Sequence, residues 1–391
     1  MPDSSKPPKI PDARASDSFM ALPLDFIPRV ELATTSAADE EIFASLNFVS
    51  DIKNVGLEFV ARLTGKKKKD GKKTHQLFQA FVRQAQAFFQ SAEKLHYRAS
   101  PLFYYYSFLN FAKAYICLRR PEIFSQKVRH GIFHDYKPKK TFRQQVVTTA
   151  ANGVFPLFYE LVVGTRLPNG FSFNIQQLLG YMSDIEFEYG QAKYGEHRVV
   201  PVKSRGLIKK ISETSTETWP LLAVNRFERL ESCKNASKSF FQHFEEVDLN
   251  KFLCERIFDI DAPARTFCRF FQSKTTMLID ESGKTFRKLI SPSQKAIELI
   301  HMPSVLKSDF DFFFALPISD RLHLKFDELF AGYLIFFYLG DLVRYHPDYL
   351  EKILFSKESW IIQRFTRSCV TTLLRRMALL LLGENRVYFS R

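Results

Sequence analysis

Cysteine is scarce in this chain. There are five in 391 residues, Cys117, Cys233, Cys254, Cys268 and Cys369, and no two form a C-x-x-C pair. An odd, scattered set argues against a disulfide framework and a cysteine-based zinc site. Cys117 and Cys268 sit among apolar neighbours, where an inert thiol is expected, and a reducing cytoplasm is the expected compartment. Long hydrophobic runs are missing as well. The longest are Ala331–Leu339 and Met377–Leu382, well short of the roughly 20 apolar residues of a membrane span. No secretory leader is read at the N-terminus, and no membrane partner is expected. The sequence also lacks G-x-x-x-x-G-K-S/T, G-x-G-x-x-G, H-E-x-x-H and G-x-S-x-G, the patterns that cradle phosphates, hold zinc or present a serine nucleophile. His75, His96, His197, His243, His301, His323 and His346 have no ligand spacing. Asp259 with Asp261, and Asp309 with Asp311, would each share one face of a strand, where a solvated edge is the simpler reading. No metal and no cofactor is expected.

What is present is apolar and basic. Hydrophobic residues make up 46% and charged residues 25%, the balance of a globular chain. Phenylalanine occurs 41 times, so the core is expected to be built from large aromatic side chains. The formal net charge of +14 favours polyanionic partners, RNA or DNA above all. The basic stretches are Lys66–Lys73, then Lys137, Lys139, Lys140 and Arg143, then Lys203–Lys210, and the C-terminal arginines. Tyr136 and Phe142 interleave the second of these, as in surfaces that stack single-stranded bases.

The pattern predicts a mostly α protein with a smaller mixed, β-hairpin-containing middle region. Residues 1–38, rich in Pro, Ser and charge at their start, read as a flexible arm. Residues 39–175 form an N-terminal helical region, with apolar residues at three- and four-residue steps from Ile42 to Phe59 and from Leu77 to Leu95. Lys66–Lys73 is expected as an exposed loop, with Thr74 as the cap of the next helix. Ser100-Pro101 opens a helix that is apolar nearly all round and therefore central. The stretch from about 120 to 175 reads as rich in loops. Residues 176–300 carry a short strand at Arg198–Val202. They also carry a hairpin, Thr276–Asp280 against Thr285–Ile290 around Glu281-Ser282-Gly283-Lys284. Residues 301–391 return to helix, from Asp327 to Tyr345 with a stop at His346-Pro347, and from Ser359 to Leu382 with a stop at Gly383. The N- and C-terminal helices are expected to pack together.

Two blocks carry a family resemblance. One runs from Ser100 to Ala114 and is followed by His130-Gly131. The other runs from Tyr333 to Pro347 and ends on Arg344-Tyr345. With Asn110-x-x-Lys113 as their specific part, these blocks resemble the YaaC-like family. The resemblance implies a bacterial cytoplasmic protein and supplies no mechanism. If the blocks pack together, Asn110, Lys113, His130, Arg344 and Tyr345 would meet beside an apolar helix pair. Two cations, an amide and a phenol suit a phosphate or carboxylate; the same groups would equally serve as an internal polar network.

A second pattern, Arg129-x-x-x-x-His134, is similar to the R-x4-6-H signature of HEPN ribonucleases. There His134 would move a proton at the ribose or leaving oxygen, and Arg129 would hold the scissile phosphate. That resemblance implies metal-independent RNA cleavage, a homodimer, and a role in stress or phage defence with partner proteins. Gly131 stands against it by interrupting helical continuity. Two functions stay open: a nucleic-acid-associated protein acting through Arg129 and His134, and a non-catalytic binding or scaffold subunit that recognises an anionic ligand or a protein partner.

Overall fold

The computed structural model describes residues 19–23, 30–34, 38–65, 67, 71–125, 128–210, 215–248, 268–274, 277–280, 312–319, 324–383 and 385–389. The chain divides into two compact units. One takes residues 1–30 and 197–326, the other residues 31–196 and 327–391. Of the expected N-terminal arm, residues 19–23 and 30–34 form β-strands and Ala38 opens a helix; the rest of the arm, the Thr285–Ile290 half of the hairpin, and the two aspartate pairs lie outside the described residues.

The second unit is helical. Its main helices are α1 (Ala38–Asp51), α2 (Lys53–Thr64), α3 (Lys72–Glu93), α4 (Ser100–Cys117), α5 (Val154–Val163), α6 (Glu328–Tyr345), α7 (Pro347–Leu354), α8 (Glu358–Arg364) and α9 (Val370–Leu382). Pro101 occupies the first turn of α4, where its missing N–H costs nothing. Asp327 caps α6 by accepting from Leu329 N at 2.9 Å and Phe330 N at 3.2 Å, and its other oxygen takes Arg376 at 2.7 Å. α4 and α6 are the centre, α4 as its sequence predicts. Aromatic rings lock them together: Tyr104 to Phe336 at 5.3 Å, Tyr105 to Phe337 at 5.4 Å and Phe108 to Phe336 at 5.5 Å. Each fully buried ring of this size stabilises the fold by ~1.5–3 kcal/mol. Gly340 lets the α4 backbone approach, since a Cβ there would lie 3.3 Å from Leu102 Cα.

Two small sheets join this unit. β2 (Val30–Thr34) pairs with β12 (Asn385–Phe389), and β3 (Ile132–His134), β4 (Val146–Thr149) and β5 (Ser172–Asn174) form an antiparallel trio. In the trio His134 stands opposite Val147, and Val147 opposite Phe173.

The first unit is a sheet built on a long antiparallel ribbon of β6 (Val199–Lys210) and β7 (Ser215–Asn225). β11 (Phe312–Ala315) and β1 (Phe19–Pro23) line the outer edge of β6 in turn. β9 (Cys268–Ser273) and β10 (Met277–Asp280) line that of β7, and β8 (Phe244–Glu246) pairs with β9. Helix Lys234–His243 supplies Phe240, whose ring lies 4.8 Å from Phe271 and 6.0 Å from Phe314.

Four local expectations are revised. The strand at Arg198–Val202 extends to Lys210, because β7 offers it a partner along that length. Thr74 is buried inside α3 rather than capping it; the helix starts two residues earlier at Lys72. The stretch from 120 to 175 contains α5, an apolar segment bounded by Gly153 and Gly164 whose Pro156 sits in the first turn, where proline is tolerated. The final helix is broken into α8, a π-helical turn at Phe365–Cys369, and α9. Thr366 donates back to the carbonyls of Ile362 and Gln363 in that turn.

Candidate functional site

The His130-Gly131 turn is held by a backbone crossing. Gly131 (φ +78°) runs against Gly153 (φ +141°), and a Cβ on Gly153 would fall 2.3 Å from Gly131 Cα. Both conformations favour glycine, and only glycine lets the two strands of chain touch. The carbonyls of Arg129 and His130 then accept the first free amides of α5, Val154 N at 2.9 Å and Phe155 N at 3.0 Å. This fastening presents His130 to α4.

His130 Nδ1 and the Tyr105 hydroxyl are 2.7 Å apart. Tyr106, Asn110 and Lys113 lie at i, i+4 and i+7, one stripe of α4. Asn110 donates to the Tyr106 carbonyl at 2.8 Å, leaving its buried Oδ1 without a partner. Lys113 Nζ stands 5.8 Å over the Phe81 ring. From α6, Arg344 donates to the Tyr106 hydroxyl at 3.0 Å, and its guanidinium lies 4.9 Å from the Tyr345 ring. Burial, then Lys113, then Arg344 lower the proton affinity of His130, and burial lowers that of Lys113. Burial foremost also pushes the Tyr105 hydroxyl far above the ordinary phenol range. Among the described residues, no carboxylate forms an ion pair with Lys113, His130 or Arg344. The structure thus brings together the five residues of the two sequence blocks, with Tyr345 reaching solvent at 64% exposure.

The second basic stretch is pinned to the same end of α6. Tyr136 stacks on His346 with ring centres 4.1 Å apart and meets Tyr349 at 5.0 Å. Gln145, fully buried, donates to the carbonyls of Lys137 at 2.8 Å and Lys140 at 3.1 Å, and Tyr349 donates to Lys140 O at 3.0 Å. Lys137, Lys139 and Lys140 are left exposed, Lys137 beside Asp135 at 2.5 Å. Arg143 faces elsewhere, 6.0 Å from the Tyr194 ring.

The pair Arg129 and His134 is placed apart in character. His134 has no exposed side-chain surface. Its Nδ1 lies 3.0 Å from Asp341 Oδ2, its Nε2 lies 3.3 Å from Gln145 Oε1, and its ring meets Tyr338 edge-on at 4.8 Å. Both ring nitrogens face acceptors inside the protein, so neither can reach a ribose. Arg129 is exposed and lines an open cavity of about 570 Å³ with Arg120, Glu160 and Arg166, a lining that does not include His134. This geometry gives the pair no shared substrate position, and the sequence signature is better explained by a buried histidine on β3. Sequence reasoning missed Tyr105, Tyr106, Gln145 and Asp341. Tyr106 was visible as the residue one turn before Asn110. Asp341 and Gln145 had no local signal, because they meet His134 only through the tertiary fold.

Among the described residues no cluster of histidine, cysteine or carboxylate groups is arranged to hold a metal ion, and no helix is long and apolar enough to cross a membrane. The model of the family described as YaaC-like Protein matches residues 58–381. No curated protein and no solved structure matches the chain.

Proposed function

We propose, on the premise that the chain belongs to the YaaC-like family, that it is a binding protein whose Lys113, His130 and Arg344 recognise a phosphate-type anion. The observation that carries this reading is the convergence of three basic side chains on one stripe of α4 with no ion-pair partner among the described residues. Nearby carboxylates are committed elsewhere: Asp341 to His134 and Asp135 to Lys137. Positive groups that hold down each other's proton affinity are stabilised by an anion placed between them. The guanidinium offers two-pronged hydrogen bonding, and the Tyr106 hydroxyl fixes its orientation.

The test is titration of the full chain with inorganic pyrophosphate, followed by calorimetry and by the [13C]histidine spectrum. Binding is expected to move the His130 titration midpoint upward. Arg344→Met and Lys113→Met are each expected to weaken binding at least tenfold, in line with the loss of a charge-assisted hydrogen bond. A folded wild type that shows neither heat nor a His130 shift at millimolar pyrophosphate would sink the proposal. So would binding that is unchanged in the double variant.

A further inference from the structure

The anion cluster is one part of a longer surface. From it, the end of α6 continues through Arg344 and the exposed ring of Tyr345 to His346, which stacks on Tyr136. Beyond Tyr136 the loop presents Lys137, Lys139 and Lys140 to solvent, held in place because Gln145 and Tyr349 tie down its carbonyls. Five basic side chains (Lys113 and Arg344 at one end, Lys137, Lys139 and Lys140 at the other) thereby flank the rings of Tyr345, His346 and Tyr136. Asp135, Asp341 and Asp348 are acids beside them, Asp135 paired with Lys137 and Asp341 with His134.

A lone phosphate needs only the cluster. Rings set between two groups of basic side chains suit a ligand that repeats phosphate and base, because every base offers a face to an aromatic side chain. Duplex DNA hides its bases within the stack, so the rings would go unused on it. From this we infer that the ligand of the anion cluster is a single-stranded nucleic acid, whose backbone phosphates run from Lys113 and Arg344 to Lys137, Lys139 and Lys140 and one of whose bases stacks on Tyr345. The inference rests on the phosphate-type reading and adds the ligand class to it.

The experiment is fluorescence anisotropy with a labelled twelve-nucleotide oligo(U), its oligo(dT) counterpart and a duplex of equal length, over a range of salt. Wild type is expected to bind both single strands more tightly than the duplex. Loss of the three loop lysines (Lys137→Ala, Lys139→Ala, Lys140→Ala) should reduce the slope of log affinity against log salt by up to about 2, at ~0.7 per phosphate contact on a single strand. Tyr345→Ala should weaken single-strand binding about tenfold; the ring is solvent-exposed, so this variant is expected to fold. Pyrophosphate binding with no oligonucleotide binding overturns the inference and leaves the anion site standing. Equal binding of duplex and single strand, or a salt slope unmoved by the lysine variant, overturns it as well. Loss of pyrophosphate and oligonucleotide binding together overturns both readings.

Discussion

Gly153→Ala tests whether the crossing of Gly131 and Gly153 is what places His130. The new Cβ would lie 2.3 Å from Gly131 Cα, 2.5 Å from Gly131 N and 3.0 Å from the Arg129 carbonyl. All three neighbours are backbone, so no side chain can swing away. Reaching ordinary contact at 3.4 Å or more requires the 129–131 turn to retreat by about 1 Å. That retreat pulls the Arg129 and His130 carbonyls off Val154 N and Phe155 N, at ~1–3 kcal/mol for each buried group left unpaired. The φ of +141° adds ~1–3 kcal/mol for any residue with a Cβ. The reduced freedom of the unfolded alanine chain offsets only ~0.4–1 kcal/mol. The net destabilisation should be about 2–9 kcal/mol, a large share of a typical total stability of ~5–15 kcal/mol. Urea unfolding measures it, and the [13C]histidine resonance of His130 reports whether the ring has left Tyr105. Gly170→Ala is the control, because its φ is +71° with nothing within 4 Å of the new Cβ, so only about 1 kcal/mol of conformational cost should appear. A Gly153→Ala protein within 1 kcal/mol of wild type, with the His130 resonance unmoved, would refute the argument.

Other outcomes follow from the same contacts. Asp327→Ala removes the cap of α6 and the ion pair at 2.7 Å with Arg376, whose side chain is 13% exposed. Denaturant unfolding should show a loss of about 3–5 kcal/mol, and adding Arg376→Met should recover part of it. His130 holds its proton less tightly in the fold than in the unfolded chain, because of burial, Lys113 and Arg344. The unfolded state therefore binds more protons across that window, and stability should fall as pH drops below ~6.5. His130→Gln should flatten this slope between pH 7 and pH 5, and an unaltered slope would count against the assignment. Burial pushes the Cys117 thiol up to about 12, so iodoacetamide at pH 8 should leave it unlabelled until the protein unfolds.

The sequence disclosed what is local. Pro101 at the start of α4, Asp327 before α6, and His346-Pro347 after it are chemical punctuation, and the helices begin and end there. The apolar content of α4 marked it as central, since a helix without a polar face must be covered on all sides. The gathering of Asn110, Lys113, His130 and Arg344 was legible because two spaced blocks each carried polar residues on an apolar helix. The role of His134 was not. A short Arg-to-His spacing says nothing of whether the ring points inward, and its partners Asp341 and Gln145 come from a distant helix and a buried turn. The π-helical turn at Phe365–Cys369 also left no trace, because its residues satisfy an α-helical pattern equally well.

The central pair has a consequence for how this chain is made. α4 is finished at Cys117, and α6 does not begin until Glu328, with the whole of the 197–326 segment assigned to the other unit. At roughly 5–20 residues per second of synthesis, the aromatic surface of α4 leaves the ribosome roughly 10–40 s before the helix that covers it. During that interval Tyr104, Tyr105 and Phe108 are available to chaperones or to neighbouring nascent chains. Variants that weaken α6 should therefore be recognised in the cell first as aggregation during translation, ahead of any defect in the mature protein.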